Sequence, residues 1–561
     1  MIRVRAVSST SASARKQWWQ AVKHDLSPYA GRWEQAWRIA LLCALMTLVS
    51  MTYGIPAAVL SCYVLFFVMK SDAAETMVMA IALVVLVSII VFVLIGIINL
   101  TIESPPLRLT ALVLVSLVFL YLGNASVLGP LGGIIALVLA FILTLLQYIP
   151  VGELATRAVL YAWLMTAAPM GLLCLFSLFF GRKPKDVLEA EIKARLALAA
   201  LGAEQKVAAA RLREDLALGL AAQQKRLNWL KLFHLAPKAT QQQLALAVVE
   251  SYRLLLHVFL ELQQNPSTTQ PELAARCRAL AANLYVFDAD EARAFVMPTE
   301  KTSFFVDDAF TNPSYQRTAI KATGAAVLCY LFYNAAQWEG IHTAMITCYV
   351  ATLGTTGETV NKLLLRISGA LIGAGLGLLL IFVFIPHMTS IGALMIAVFL
   401  VSLLAAWVYL GTERFSYAGL QIAFAFLLIS LDGTGPTIDV DTASNRIIGI
   451  LVGNAMMYIA FTQIWPQSIM QSVQKKGALL AEKLQQFSSA AQLPRVATVT
   501  AAEIATLLEE TSYEFSLVML EPKRLRPEAA TLQEFQQRLE GFEQRFEQLA
   551  LDSTAPSQKP N

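Results

Sequence analysis

The sequence predicts an all-α polytopic membrane protein, with two six-helix transmembrane sets and cytoplasmic helical regions between and after them. Three observations support this fold class. Hydrophobic residues make up 57% of the 561 positions and charged residues only 15%, unlike the balance of a soluble globular domain. Several apolar runs approach the roughly 20 residues that a helix needs to cross a bilayer. Basic clusters follow the sixth and the twelfth run, as is typical of cytoplasmic loops.

The chain begins with a basic arm over residues 1–35, in which Trp18 and Trp19 suit an anchor at the level of the lipid headgroups. The first transmembrane set covers residues 36–181. Its helices are expected near 36–53, 55–69, 73–100, 108–122, 130–147 and 153–180. The set ends at Arg182–Lys185, a strong signal for a cytoplasmic loop.

Residues 182–318 form a predicted cytoplasmic helical domain. The run from Asp186 to Trp229 is rich in Ala, Leu, Glu, Gln and Arg and favours one long helix, and Leu244–Gln264 favours another. Two interpretations of this domain remain open. It is either an assembly that closes a dimer or regulates transport, or a packed appendage without such a role.

The second transmembrane set covers residues 319–466. Its helices are expected near 319–336, 340–353, 360–385, 390–410, 415–431 and 445–465. A C-terminal cytoplasmic helical region, residues 467–561, follows and contains the basic pair Lys475 and Lys476. Because each set has an even number of spans, we expect both termini and the middle domain to lie in the cytoplasm.

Two of the predicted spans are too short to cross a bilayer. Segments 55–69 and 340–353 would rise only about 20 Å as helices, against a hydrocarbon core of roughly 30 Å. They hold the same second place in each set. Irregular backbone at membrane depth must face protein or water, so broken helices at matching positions predict a central binding site.

An arginine–glycine phrase occurs twice in the second set. Arg366–Gly373 reads RISGALIG and Arg446–Gly453 reads RIIGILVG, and a Gly/Thr turn precedes each copy. The copies lie on the third and the sixth span of the set, three positions apart, so we expect them to run in opposite directions. The small residues at one-turn spacing predict close helix packing.

The first half is a copy without these charges. When Glu75-Thr76 is laid over Glu358-Thr359, Met79 takes the place of Lys362 and Leu83 that of Arg366. We therefore expect function to be concentrated in the second half.

The sequence contains no motif typical of nucleotide hydrolysis, metal binding or nucleophilic catalysis. There is no GxxxxGK[ST] phosphate loop, HExxH or GxSxG motif, and the six cysteines lie without metal-ligand spacing. We therefore predict neither an enzyme nor a cofactor or metal site. A net charge of +4 with basic residues at loops gives no indication of nucleic acid binding.

Polar residues in or beside the second-half spans are the candidate site, because ionisable groups at membrane depth are costly. Two arginines that converge from opposite faces would favour an anion, since guanidinium binds carboxylate in a bidentate fork. The predicted substrate-binding residues are Arg366, Arg446, Tyr417, Gln421, Asn454 and Lys362. The predicted proton-coupling residues are Glu358, Glu339 and Asp432. Alternative interpretations are a positive-inside anchor for Arg366 and a structural ion pair for Glu358.

The second-half segments that contain these candidate residues resemble the fusaric acid resistance family of bacterial inner-membrane proteins. The similarity covers the whole architecture loosely, and specifically the segments Gly354–Gly377, Tyr417–Gln421 and Asp432–Gly453. The resemblance implies proton-driven efflux of aromatic carboxylic acids or related organic anions across the inner membrane. It also implies a periplasmic adaptor and an outer-membrane channel as partners. The first half departs from the family's usual repeat, because it lacks the Lys/Arg pair.

Two other interpretations stay open. Plant aluminium-activated malate channels have a distantly similar membrane layout, which makes an anion channel the alternative to an exporter. A non-transporting membrane scaffold is the third. The apolar stripes of the cytoplasmic helices exceed what one small domain needs, and they predict a homodimer.

Overall fold

The structure is a computed structural model, and it confirms an all-α chain. It describes residues 25–28, 31–55, 58–101, 104–145, 152–266, 268–295, 297, 303–352, 354–432, 435–436, 440–490 and 494–554. Most of the predicted basic arm therefore lies outside the described residues. One small antiparallel hairpin interrupts the helices, with Leu431–Asp432 (β1) paired to Gly435–Pro436 (β2).

A helix occupies each of the six predicted positions in the first half. These helices are α1 (Arg32–Tyr53), α2 (Ala58–Val68), α3 (Ala73–Thr101), α4 (Pro105–Ala125), α5 (Pro130–Leu145) and α6 (Gly152–Phe180). The middle region follows with α7 (Pro184–Ala203), α8 (Ala209–Ala217), α9 (Ala221–Leu232), α10 (Lys238–Gln264), α11 (Pro271–Ala282) and α12 (Ala289–Ala294).

The second half repeats the layout of the first. Its helices are α13 (Pro313–Ala335), α14 (Thr343–Val350), α15 (Thr356–Leu379), α16 (Ile391–Tyr409), α17 (Glu413–Ser430) and α18 (Val440–Gln463). The chain ends with α19 (Ile469–Ala490), α20 (Pro494–Leu517) and α21 (Ala529–Thr554). Short 3₁₀ turns precede α14 and follow α20.

Eight helices in the described part of the chain are long and apolar enough to cross a membrane, which makes this a multi-pass membrane protein. Seven of them lie at predicted spans. The eighth, α10, is 78% buried over its apolar window because it lies in the hydrophobic core formed by the middle and C-terminal regions. Three further apolar helices at predicted spans, α2, α5 and α17, are shorter.

The two halves are packed into each other. In each half the second and third helices contact the sixth, and the fourth contacts the fifth. The first helix of each half packs on the fourth helix of the other, as α1 does on α16 and α13 on α4. Both apolar cores of the membrane region therefore mix residues of the two halves.

The second helix of each half is short, as the sequence predicts. Helix α2 has 11 residues and α14 has 8, so they rise only about 16 and 12 Å. The chain turns at Gly54 before α2, where a positive φ of 63° favours glycine. In the second half, a 3₁₀ turn over Glu339–Ile341 changes the direction of the chain before α14.

The helices of the middle and C-terminal regions share one hydrophobic core. The prediction of one long helix from Asp186 to Trp229 is wrong, because this stretch forms α7, α8 and α9. Gln205 and Gly219 both adopt positive φ, and a Cβ at Gly219 would lie 2.4 Å from Thr506 Oγ1 of α20. Long-range packing on α20 thus overrides the helix propensity of the sequence.

Buried charges join the middle region to the start of α3. Arg226 of α9 donates to Ser71 Oγ at 2.8 Å and lies 3.6 Å from the Asp72 carboxylate. It also pairs with Glu191 of α7. Burial raises the pKa values of the Asp72 and Glu191 carboxyls, and the Arg226 guanidinium opposes that rise.

The start of α15, the counterpart of α3, is held in a similar way. The Glu521 carboxylate is fully buried and accepts from the Ile469 backbone N–H at 2.7 Å and from Ser468 Oγ at 2.8 Å. It also accepts a hydrogen bond from the backbone of Gly357 in the first turn of α15. The middle and C-terminal regions therefore contact the start of the third helix of the first and of the second half, respectively.

Candidate functional site

A capping box fixes where α15 begins. The Thr355 hydroxyl accepts from the Glu358 backbone N–H at 3.3 Å, and the Glu358 carboxylate accepts from the Thr355 N–H at 3.2 Å. Arg366 lies ten residues beyond Thr356, which places it about 15 Å along the helix. This rise is about half the thickness of a hydrocarbon core of roughly 30 Å.

A glycine ridge on α15 brings α17 into close contact. A Cβ at Gly369 would lie 2.6 Å from the Ala418 carbonyl oxygen, and one at Gly373 would lie 2.4 Å from the Ile422 carbonyl oxygen. Only glycine permits two helix backbones to approach so closely. The ridge positions the polar side of α17 directly against Arg366.

Arg366 is 1% exposed and has only neutral hydrogen-bond partners on α17. Its Nη1 donates to Gln421 Oε1 at 2.9 Å and to the Tyr417 hydroxyl at 3.2 Å. Its Nε and Nη2 have no hydrogen-bond partner in the described part of the chain. No carboxylate pairs with this guanidinium among the ion pairs of the described residues. The site therefore contains a buried cation with two unused donors.

Asn454 lies at the same depth on α18. Helices α15 and α18 run antiparallel, as the repeat predicts, since Thr356 bonds the Phe461 carbonyl while Ala370 clusters with Ile450. This register brings Asn454 level with Arg366. The Asn454 side chain is 4% exposed, and neither its Oδ1 nor its Nδ2 has a partner in the described residues. The Nε2 of Gln421 is also unpaired there.

Two further charged residues extend the site toward the start of α15. Glu358, Lys362 and Arg366 recur every four residues and share one helix face. Lys362 Nζ lies 5.1 Å from the centre of the Tyr417 ring, a cation–π contact. Lys362 and Tyr417 are half-buried, whereas Arg366 is buried. The three charged residues therefore form a row from the half-buried Glu358 in the first turn of α15 to the buried Arg366 guanidinium.

The structure does not bring Arg446 into this site. Arg446 begins the second arginine–glycine phrase on α18, eight residues before Asn454, and so lies about 12 Å away along the helix. Its Nη1 contacts the His342 ring, and its backbone carbonyl accepts from Thr343 Oγ1 at 3.3 Å. The expected convergence of the two arginines fails because α15 and α18 are antiparallel, which separates their first turns.

The predicted proton-coupling residues are also dispersed. The Glu358 carboxylate is bound in the capping box, and Glu339 is exposed in the 3₁₀ turn at the other end of the membrane region. The side chain of Asp432 lies outside the described residues, although its backbone forms β1. In the described part of the chain, no three His, Cys, Asp or Glu side chains are grouped to hold a metal ion.

Sequence reasoning missed Tyr63, on the broken helix α2 of the first half. Its ring centre is 4.9 Å from that of Phe424, which lies one turn beyond Gln421 on α17. A signal for it was present in the sequence. Ser61–Val64 reads SCYV and Thr347–Val350 reads TCYV, so the two broken helices carry the same phrase.

The part of the chain that contains Arg366, Gln421 and Asn454 is similar to known proteins. Residues 328–460, from α13 to α18, match the model described as fusaric acid resistance protein-like. No solved structure is significantly similar to the chain.

Multidrug resistance protein MdtO is similar over 205 residues, with 37% identity in Escherichia coli O157:H7 and in Shigella flexneri and 36% in Escherichia coli K12. The aligned part is 36% of this chain and 30% of each relative, so the match spans less than a third of the relatives' own length. Residues 328–460 are therefore similar to the fusaric acid resistance protein-like family, within a chain that is a multi-pass membrane protein.

Proposed function

We propose that this chain is a secondary transporter that exports organic anions, among them aromatic carboxylates, across the inner membrane of a bacterium. The observation that carries the proposal is the buried Arg366 guanidinium, with two unused donors and neutral partners. A cation at membrane depth is costly unless it is paired. A substrate carboxylate would supply the missing charge and accept from Nε and Nη2 in a fork. The relatives named for multidrug resistance support efflux as the direction of transport.

We further propose that the proton gradient drives export, with Glu358 as the first proton carrier to test. It lies one helical turn from Lys362 and two from Arg366, so its protonation would change the field at both cations. Glu339 and Asp432 remain candidates for the opposite end of the path. Arg446 with His342 is proposed as a second anion contact near that end, instead of a direct partner of Arg366.

The assembly is proposed as well. We place both termini and the helices between Pro184 and Ala294 in the cytoplasm, on the basis of the basic residues after α6 and α18. A homodimer, a periplasmic adaptor and an outer-membrane channel are the partners to seek.

The test is uphill transport of benzoate in proteoliposomes with an imposed pH gradient. We expect the unaltered protein to move benzoate against its gradient and Arg366→Ala to abolish this flux. Arg366→Lys keeps the charge but loses the planar fork, so we expect a loss of about tenfold, equal to one good hydrogen bond.

Arg157→Ala is the matched control. This arginine also lies in a membrane helix, but it is exposed and paired to Glu153 at 2.6 Å. Its replacement is expected to leave flux unchanged at equal protein level. Full flux in Arg366→Gln would refute the anion site. Flux that only follows the benzoate gradient, whatever the pH gradient, would favour the channel.

A further inference from the structure

The SCYV and TCYV phrases place two equivalent tyrosines in different surroundings. Tyr63 and Tyr349 stand at the same position of the two short helices, α2 and α14. Each reaches an element of the opposite half of the membrane region. Their contacts differ: Tyr349 packs in the core between the halves, whereas Tyr63 packs on α17, the helix that binds Arg366.

Tyr349 is a structural residue. It is 2% exposed, and its hydroxyl lies 2.7 Å from the Ser116 hydroxyl on α4. Its polar atom is therefore satisfied inside the packed core between the halves. We therefore assign no ligand contact to Tyr349.

Tyr63 stands beside the buried cation. Its ring packs on Phe424 of α17, one turn beyond Gln421, and Arg366 and Tyr417 are among the groups that act electrostatically on its hydroxyl. Gln421 also holds Arg366 through its Oε1, while its own Nε2 is unpaired in the described residues. Tyr63 is half-buried, like Tyr417 and Lys362.

We propose that Tyr63, supplied by the first half, is a specificity-determining residue of the Arg366 site. Arg366 holds the charged group of the anion, and the Tyr63 ring with Phe424 forms the wall against which the organic part lies. A flat ring offers dispersion and edge-to-face contact that a small aliphatic anion cannot use. The first half, which lacks the Lys/Arg pair, thereby still contributes to substrate selection. This inference rests on the proposed export function.

The experiment compares benzoate with acetate, two carboxylates that differ in the ring, in proteoliposomes that contain the full chain. We expect Tyr63→Ala to raise the KM for benzoate about tenfold, the loss of one aromatic contact, while the KM for acetate changes less than about twofold. Tyr63→Phe keeps the ring and should keep the preference for benzoate. Tyr349→Ala is the matched control, and we expect a lower protein level with an unchanged ratio of the two KM values.

The outcomes separate the two proposals. An unchanged benzoate-to-acetate ratio in Tyr63→Ala, while Arg366→Ala abolishes flux of both anions, would overturn the role of Tyr63 and leave export intact. Full flux of both anions in Arg366→Ala would overturn the proposed function, and the role of Tyr63 with it. An equal shift of the ratio in Tyr349→Ala would show that Tyr63 acts only through the packing of the halves.

Discussion

The close approach of α15 to α17 can be tested with a single methyl group. A Cβ at Gly373 would lie 2.4 Å from the Ile422 carbonyl oxygen and 3.0 Å from the Ala425 Cβ. Ordinary contact begins at 3.4 Å, so Gly373→Ala requires the two backbones to separate by about 1 Å. Overpacking of this kind typically costs about 1–3 kcal/mol. The separation would also stretch the 2.9 Å bond from Arg366 to Gln421.

Gly375→Ala is the control on the same helix. A Cβ at Gly375 meets nothing within 4 Å, so this variant adds the same methyl group without a clash. Both variants gain the same helix propensity, of the order of 1 kcal/mol, and their difference isolates the packing cost. We expect Gly373→Ala to be less stable than Gly375→Ala by about 2 kcal/mol. Equilibrium unfolding in detergent micelles measures this difference.

A second comparison identifies which atoms resist the methyl group. At Gly377 the nearest atom is Ile429 Cγ2, at 2.9 Å, which belongs to a side chain. Ile429→Ala should therefore partly rescue Gly377→Ala, whereas Ile422→Ala should not rescue Gly373→Ala, where the backbone is in the way. Equal stability of Gly373→Ala and Gly375→Ala would refute the close contact on which the Arg366 site depends.

Three further predictions concern the cytoplasmic side. Arg226→Ala leaves the buried Asp72 unpaired and should cost about 3 kcal/mol of unfolding free energy, with part of the loss restored in the double variant with Asp72→Asn. Burial raises the pKa of the Glu521 carboxyl above its ordinary value, so its contribution to the free energy of unfolding should rise as the pH falls from the folded-state pKa toward the ordinary value. Glu521→Gln should remove this part of the pH dependence of unfolding. An unchanged slope of the free energy of unfolding against pH in that variant would contradict the prediction. Leu235→Cys, at a residue 48% exposed, should react with a membrane-impermeant maleimide only after the cytoplasmic side is opened, and labelling of intact cells would overturn the proposed topology.

The sequence by itself determined the helical membrane fold and the two short helices, and it named Arg366 among the candidate site residues. These features are local. A span is a run of apolar residues, a break is a change in that run, and an arginine within a span must find a polar environment wherever the helix packs. The same local signals carry the resemblance to the fusaric acid resistance protein-like family, whose model matches residues 328–460.

Only the tertiary structure decided which polar residues meet. Arg366, Gln421 and Tyr417 share a site because the glycine ridge brings α17 onto α15, while Arg446 is carried away by the antiparallel course of α18. Tyr63 of the first half packs on Phe424 of α17, and packing on α20 divides a stretch whose sequence favours one long helix. Helix–helix pairing depends on the shape of surfaces distant in sequence, which the period of a single helix does not encode.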